Sequence, residues 1–345
     1  DTFIDNNDYR LPEFTKKPHF NATKIYIPKK VSRGLGEFIG AFIGDGAITK
    51  NKRKTGRLIF TFSDEEKELK NHILKIANDL FGVNPAIHKK EDDASTNYFF
   101  NATVLVDWLQ FIGVDKPSSF VARIPEIVFN ATREFAKGFL RGIFSTDGTV
   151  SKEGYPSLCS VSSGLIEDTQ QLLLALGIPT KICKITNREN SFGKNPVYQL
   201  RIITLDGLRR FRQEIGFIGK EKNRRLKNGK SKAWEFNDII PYQEELLRQI
   251  YNGPGCGCGV NRSKLGANRR LYRDIQHYLP GVVASRNLTR SRLERLADKH
   301  PVFSSHRIIR WFLENKQFYD RVVDIQDGTS LTLDLSVPAN NTYIA

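Results

Sequence analysis

Gly36-Glu37-Phe38-Ile39-Gly40-Ala41-Phe42-Ile43-Gly44-Asp45-Gly46 and Gly138-Phe139-Leu140-Arg141-Gly142-Ile143-Phe144-Ser145-Thr146-Asp147-Gly148 are one pattern written twice. Superposed, they place Gly36, Gly40 and Gly44 on Gly138, Gly142 and Thr146, and Asp45-Gly46 on Asp147-Gly148, at one constant offset. Small residues at every fourth position make a smooth stripe along a helix, so two such helices can bring their backbones unusually close. Each copy stops at Asp-Gly, which reads as a helix ended by glycine. If the stripes pack together, Asp45 and Asp147 meet beside the negative ends of two helix dipoles. That arrangement is costly unless a cation lies between the carboxylates. Oxygen donors without neighbouring Cys or His favour a hard ion, which points to Mg²⁺, or Mn²⁺, held by Asp45, Asp147 and the flanking Gly44 and Thr146.

A second layer of repetition follows each motif. After the first come a basic hairpin at Lys50–Arg57, a strand at Leu58–Phe62, a helix at Asp64–Phe81, strands near Ala86–Lys89 and Tyr98–Asn101, and a helix ending at Ile112-Gly113. After the second come a strand at Ser157–Val161, a helix at Leu165–Leu176, strands at Thr180–Ile185 and Val197–Ile203, and a helix ending at Ile215-Gly216. Phe81-Gly82-Val83 answers Leu176-Gly177-Ile178 at the helix-to-strand turns. The expected fold is α+β: two αββαββα halves about a pseudo-twofold axis between the motif helices. Each half supplies a four-stranded antiparallel sheet, and the pair forms a saddle wide enough for a duplex.

The motif pair, Phe38–Gly46 and Leu140–Gly148, resembles that of the LAGLIDADG homing endonucleases in their single-chain, two-motif form. The resemblance implies a site-specific DNA endonuclease that cuts one phosphodiester per strand of a long asymmetric target, leaving short 3′ overhangs. It also implies a lysine near each attacking water. By position these are Lys116 and Lys222, with Lys220 a rival to the latter. Asp45, Asp147, Lys116 and Lys222 are thus the expected catalytic set. Base and phosphate contacts are expected from Lys52, Arg53, Lys54, Arg57, His88, Lys89, Lys181, Lys184, Gln199 and Arg201. A maturase-like RNA-binding protein on the same fold is the alternative, although it has no need of both carboxylates.

The boundaries expected are a first half at 32–117, a connector at 118–134, a second half at 135–228, and a helical segment at 229–318. That last segment reads as helices at Tyr242–Tyr251, Leu265–Tyr278, Thr289–Lys299 and His306–Asn315. From Asn261 to Arg321 it carries fourteen Lys or Arg against five Asp or Glu, so DNA contacts are expected there, including Arg269, Arg270, Arg290 and Arg292. A net charge of +15 over 345 residues agrees with a double-stranded DNA partner. Nothing reads as a signal peptide or membrane span, so an intracellular, nucleoid-associated monomer with no obligatory protein partner or membrane is expected. Four cysteines are too few for a disulfide framework, and Cys256-Gly257-Cys258 reads as a glycine-rich turn.

The ends have another character. Leu331-Thr332-Leu333-Asp334-Leu335-Ser336-Val337-Pro338, within a β tail at 319–345, resembles the closing region of inteins. Phe20–Pro28, within 1–31, reads as a remnant of N-terminal splicing strands or as a β-hairpin packed on the nuclease. The chain begins at Asp1 without a Cys or Ser nucleophile and stops before a terminal His-Asn pair. Met is absent, as in a chain excised from a larger precursor or trimmed. The resemblance therefore implies an intein-derived protein without self-splicing, or an intein whose splicing residues were trimmed.

Overall fold

The computed structural model describes residues 9–15, 24–52, 55–89, 94–152, 154–186, 195–202, 204–228, 239–250, 269–278, 287–315, 319 and 324–325. The first half runs α1 (Arg33–Asp45), β1 (Gly46–Lys50), β2 (Gly56–Ser63), α2 (Lys67–Phe81), β3 (Ala86–Lys89), β4 (Ser95–Phe100) and α3 (Thr103–Phe111). After α4 (Glu126–Asn130), the second runs α5 (Arg133–Thr146), β5 (Gly148–Val150), β6 (Pro156–Ser160), α6 (Ser163–Ala175), β7 (Thr180–Ile185), β8 (Val197–Ile202) and α7 (Leu205–Arg210), which continues as one π-turn over Phe211–Ile215. Both sheets are four-stranded and antiparallel, with orders β1-β2-β4-β3 and β5-β6-β8-β7. The repeat seen in the sequence is therefore a repeat of topology.

Local chemistry explains the elements. Ser32 and Thr132 cap α1 and α5 by accepting from the backbone N–H of Leu35 and Phe135, at 3.1 and 3.3 Å. Along β2 the alternation is strict: Leu58, Phe60 and Phe62 are buried while Arg57 and Thr61 are exposed. Phe38 and Phe42 of α1 pack edge-on against Phe60, at centroid distances of 5.3 and 6.4 Å. In the second half Phe144, Phe211 and Phe217 form the matching cluster, with Phe144 and Phe211 4.9 Å apart. Gly82 and Gly177 both adopt φ near +70°, which only glycine reaches cheaply, and they turn the chain from helix to strand.

One continuous apolar core joins both halves because α1 and α5 lie against each other at its centre. A Cβ added at Gly36 or Gly40 would sit 2.3 Å from the Phe135 carbonyl oxygen or 2.0 Å from that of Phe139. At Gly138 and Gly142 it would meet the carbonyls of Arg33 and Glu37 at 2.2 and 2.3 Å. No side chain fits these gaps, so the small-residue stripe is the contact itself. At the last step the repeat breaks its symmetry: a Cβ on Gly44 would lie 2.0 Å from Thr146 Oγ1.

Gly46 ends α1, as the sequence indicated, in extended conformation with φ −91°. Glycine is required there because a Cβ would lie 2.3 Å from the Phe42 ring, and Gly148 likewise abuts the Phe144 carbonyl at 2.2 Å. The strands β1 and β5 can therefore leave the helix ends at once.

Beyond α8 (Lys220–Asn228), a separate apolar cluster from Ile240 to Phe312 gathers α9 (Gln243–Ile250), α10 (Arg269–Ile275), α11 (Arg290–Lys299), α12 (Pro301–Ser305) and α13 (Arg307–Glu314). The short α12 was not anticipated, and its first-turn Pro301 is the signal that could have marked it. Residues 9–11 pair with 29–31 through an isolated antiparallel bridge, Arg10 to Lys30. Residues 24–28 are not in a strand, and the expected β tail from Leu331 and the Cys256-Gly257-Cys258 turn lie outside the described residues.

Candidate metal and DNA site

The chain directions of α1 and α5 deliver Asp45 and Asp147 side by side where the helices end. With Gly44, Lys116, Ser119, Ala122, Cys159 and Val197 they line a cleft of about 360 Å³. Burial, then the charge of Asp147, then that of Glu66 push the Asp45 carboxyl up to about 7. Lys116 and Lys222 oppose the rise. Burial also raises Asp147, again against the two lysines. The carboxylates are thus held together in a partly dry cleft where neither is fully compensated.

The lysines are placed equivalently. Lys116 Nζ donates to the Gly44 carbonyl, and Lys222 Nζ donates to the carbonyls of Ser145 and Thr146 at 2.6 and 3.4 Å. Each therefore rests on the last turn of the motif helix in its own half, where the dipole is negative. Burial lowers the pKa of both ammonium groups. Lys220 is elsewhere: its side chain is 95% exposed and lies 3.8 Å from Glu68. Of the two, only the Lys222 ammonium reaches the end of α5.

The residues fit a hard cation in a particular way. Among the described residues no three His, Cys, Asp or Glu converge. Two carboxylates alone suit an ion such as Mg²⁺, which keeps several waters and fills the rest of its shell with substrate phosphate. The carbonyls of Gly44 and Thr146, expected to assist as oxygen donors, also accept from Lys116 and Lys222, each keeping a second lone pair.

Register decides which expected DNA contacts share a face. In β8, Arg201 pairs with Lys181 and Gln199 with Cys183, so these four side chains point away from the apolar core. Gln199 accepts from Arg201 Nε at 2.7 Å and donates to Ser157 Oγ at 3.3 Å. In the first sheet Arg57 and His88 lie on the corresponding face, both against Phe99 at 5.0 and 6.1 Å.

Lys184 and Lys89 are on the other face. Lys184 pairs with Tyr198 and sits 5.9 Å over its ring, while Lys89 pairs with Thr96 and bridges to Asp64 at 2.5 Å. Two lysines three positions apart in a strand cannot share a face, and that arithmetic alone separates Lys181 from Lys184. Lys52 is exposed in the β1–β2 turn, and Arg53 and Lys54 lie outside the described residues.

In the C-terminal cluster Arg270 is exposed, the Arg269 side chain lies outside the described residues, and Arg292 lies 5.8 Å over the Tyr278 ring. Arg290 departs from expectation. It is 4% exposed, with its guanidinium directed to the carbonyls of Phe312 and Asn315, so it ties α11 to the end of α13 rather than facing outward. Sequence reasoning also missed Glu66, whose charge reaches Asp45 and Lys222, and Cys159 on the cleft wall. The turn before α2 that bears Glu66 gave no pattern linking it to a motif 21 residues upstream.

Known proteins resemble this chain in sequence and in fold. The chain is 25% identical over 336 residues to the replicative DNA helicase DnaB of Rhodothermus marinus, covering 89% of this chain and 33% of that protein. It is 27% identical over 241 residues to the glutamine–fructose-6-phosphate aminotransferase of Methanocaldococcus jannaschii, covering 67% and 21%. Against the DNA polymerase of Thermococcus hydrothermalis it is 30% identical over 233 residues, covering 64% and 13%. The chain thus spans a third or less of the length of these relatives. Among solved structures, the homing endonuclease I-DmoI aligns at 17% identity with a TM-score of 0.42, covering 56% of this chain and 97% of that one. The homing endonuclease I-WcaI bound to its DNA recognition sequence aligns at 18% and 0.39, covering 57% and 87%. Residues 134–216 match the LAGLIDADG-like domain family, so the second half is a LAGLIDADG-like domain and the first half is built on the same plan.

Proposed function

We propose that the protein is a site-specific, metal-dependent DNA endonuclease that hydrolyses one phosphodiester in each strand of a long asymmetric target. The observation that carries this is the abutment of α1 and α5, which leaves Asp45 and Asp147 side by side with a lysine on either flank. A divalent ion there, Mg²⁺ or Mn²⁺, would polarise phosphate oxygens and lower the pKa of a bound water. The chain's own residues do the rest. Asp45 and Asp147 supply the negative oxygens that would hold such an ion, and Lys116 and Lys222 each present an ammonium near one carboxylate, placed to steady an attacking water or a phosphate oxygen. Lys181, Gln199 and Arg201 in one sheet and Arg57 and His88 in the other offer donors and acceptors to bases and phosphates. The exposed cations of the 229–318 segment extend the contact surface.

The intein origin is part of the same proposal. A helicase, an aminotransferase and a polymerase each share this stretch over only a fraction of their length. A mobile insert in unrelated hosts gives that pattern, whereas a common enzymatic activity does not.

The test is incubation with a library of candidate duplexes in Mg²⁺, followed by sequencing of product ends. Double-strand breaks at one sequence with short 3′ overhangs, abolished by chelation, are expected. Absence of cutting in both Mg²⁺ and Mn²⁺ would overturn the reading.

A further inference from the structure

We infer that Phe120 and Val121 form an apolar wedge that enters the duplex beside the cleavage site and unstacks a base step. This rests on the nuclease reading. The loop carrying them is pinned on both sides of the pair. Lys116 is tied to the Gly44 carbonyl, and Ser162 Oγ donates to the Ala122 carbonyl at 2.8 Å. Arg123 then grips Asp168 with two hydrogen bonds of 2.7 and 2.6 Å, and the Ile124 N–H donates to the same carboxylate at 3.0 Å. Ala122 and Ile124 are buried, whereas Phe120 and Val121 between these anchors are 57% and 59% exposed. Single apolar residues on a surface are ordinary. Two in succession, on a loop fixed at both ends, are a presented edge.

Position identifies the occupant. Ser119 and Ala122, the residues on either side of the pair, line the cleft that holds Asp45, Asp147 and Lys116. Two neighbouring carboxylates can serve both strands only where the strands come closest. In B-DNA that is across the minor groove, about 6 Å wide. A duplex seated this way lays its minor-groove edge along the loop, and apolar side chains that insert between base steps do so from the minor groove, kinking the helix. The kink has a use here, because it alters the separation of two phosphates that must reach one small site.

The experiment uses the full chain in Ca²⁺, with the duplex it retains from a random library, end-labelled for energy transfer, and a second version carrying a central mismatch that is already unstacked. The wild type is expected to bend the intact duplex. Phe120→Ala/Val121→Ala should leave it straight and bind it about tenfold more weakly, while binding the mismatched duplex like wild type. Phe120→Leu should restore most of the bend. If the double variant bends and binds the intact duplex as wild type does, or loses the same affinity for both duplexes, the wedge is wrong while the nuclease reading stands. If no duplex is retained at all, the DNA-binding reading fails and the wedge fails with it.

Discussion

The two halves share a scaffold but not a surface, and the division is informative. What repeats is what the chemistry needs: capped helices, glycines against carbonyls, a carboxylate at each helix end, and a lysine on the last turn. What differs lies around it. Gly44 faces Thr146, and Glu66, just ahead of α2, has Ser162 as its counterpart at the start of α6, where the serine caps the helix and holds the connector. Phe99 and Ile59 stand where the second sheet has Arg201 and Ser157. On the proposed function, equivalent catalytic parts on inequivalent reading surfaces are what an asymmetric DNA target would demand.

The largest effect should come from breaking the shared chemistry. Asp45→Asn and Asp147→Asn should each lower double-strand cutting by about a thousandfold or more, since each removes several kcal/mol of ion-mediated stabilisation. DNA affinity should remain close to wild type in a gel-shift assay. A variant that still cuts at an undiminished rate would show the two halves to be chemically unequal.

The second effect is on stability, and its sign follows from Asp45. With its pKa raised to about 7, the folded state holds a proton that the unfolded chain releases near pH 4. Between those limits the folded state binds more protons, so the contribution of Asp45 to stability falls as pH rises across the window. In chelator, Asp45→Asn should therefore match wild type near pH 4 and exceed it above pH 7 by a gain of order a few kcal/mol. Thermal melts at both pH values, with and without Mg²⁺, read this directly, and the ion should erase the difference. Asp147→Asn should show the same sign.

Third, Gly40→Ala and Gly142→Ala should each cost about 3 kcal/mol, because the new methyl meets rigid backbone in the facing helix. Gly44→Ala meets the side chain of Thr146 instead. Its cost should be recovered by Thr146→Gly, a rescue with no counterpart at Gly40, and denaturant titration of the four variants makes the comparison. Fourth, Lys116→Met and Lys222→Met should slow cutting by about a hundredfold with little loss of binding, whereas Lys220→Met should change neither. Equal losses at Lys220 and Lys222 would mean that the lysine contacts on Ser145 and Thr146 carry no catalysis.

The sequence was most legible where spacing is a physical requirement. The four-residue stripe foretold the contact between α1 and α5, and the shared turn glycines foretold the matching sheets, because each can be met by few residues in few places. It was least legible where meaning depends on what folding brings near. Glu66 acts on Asp45 across space, Arg290 looked like a surface cation and is a buried strut, and Gly46 is needed for clearance against Phe42 as well as for ending the helix. Charge counts in the C-terminal segment could not distinguish an arginine that faces outward from one that ties two helices together.

The smallest effect tests the surfaces alone. Lys181 and Arg201 are paired in register on the face away from the core, and Lys184, three positions along the same strand, is turned to the other side over Tyr198. A lysine on a phosphate contributes a nearly sequence-independent share of affinity and one released counterion. Lys181→Ala should therefore weaken binding a few-fold and reduce the salt slope by about one, while Lys184→Ala leaves both unchanged. The first half supplies the matched control, since Lys89 occupies the same kind of position as Lys184 and is already paired with Asp64. If Lys184 and Lys89 altered the salt slope as much as Lys181, DNA would have to reach around the sheet edges, and the division between a reading face and a packing face would no longer describe either half.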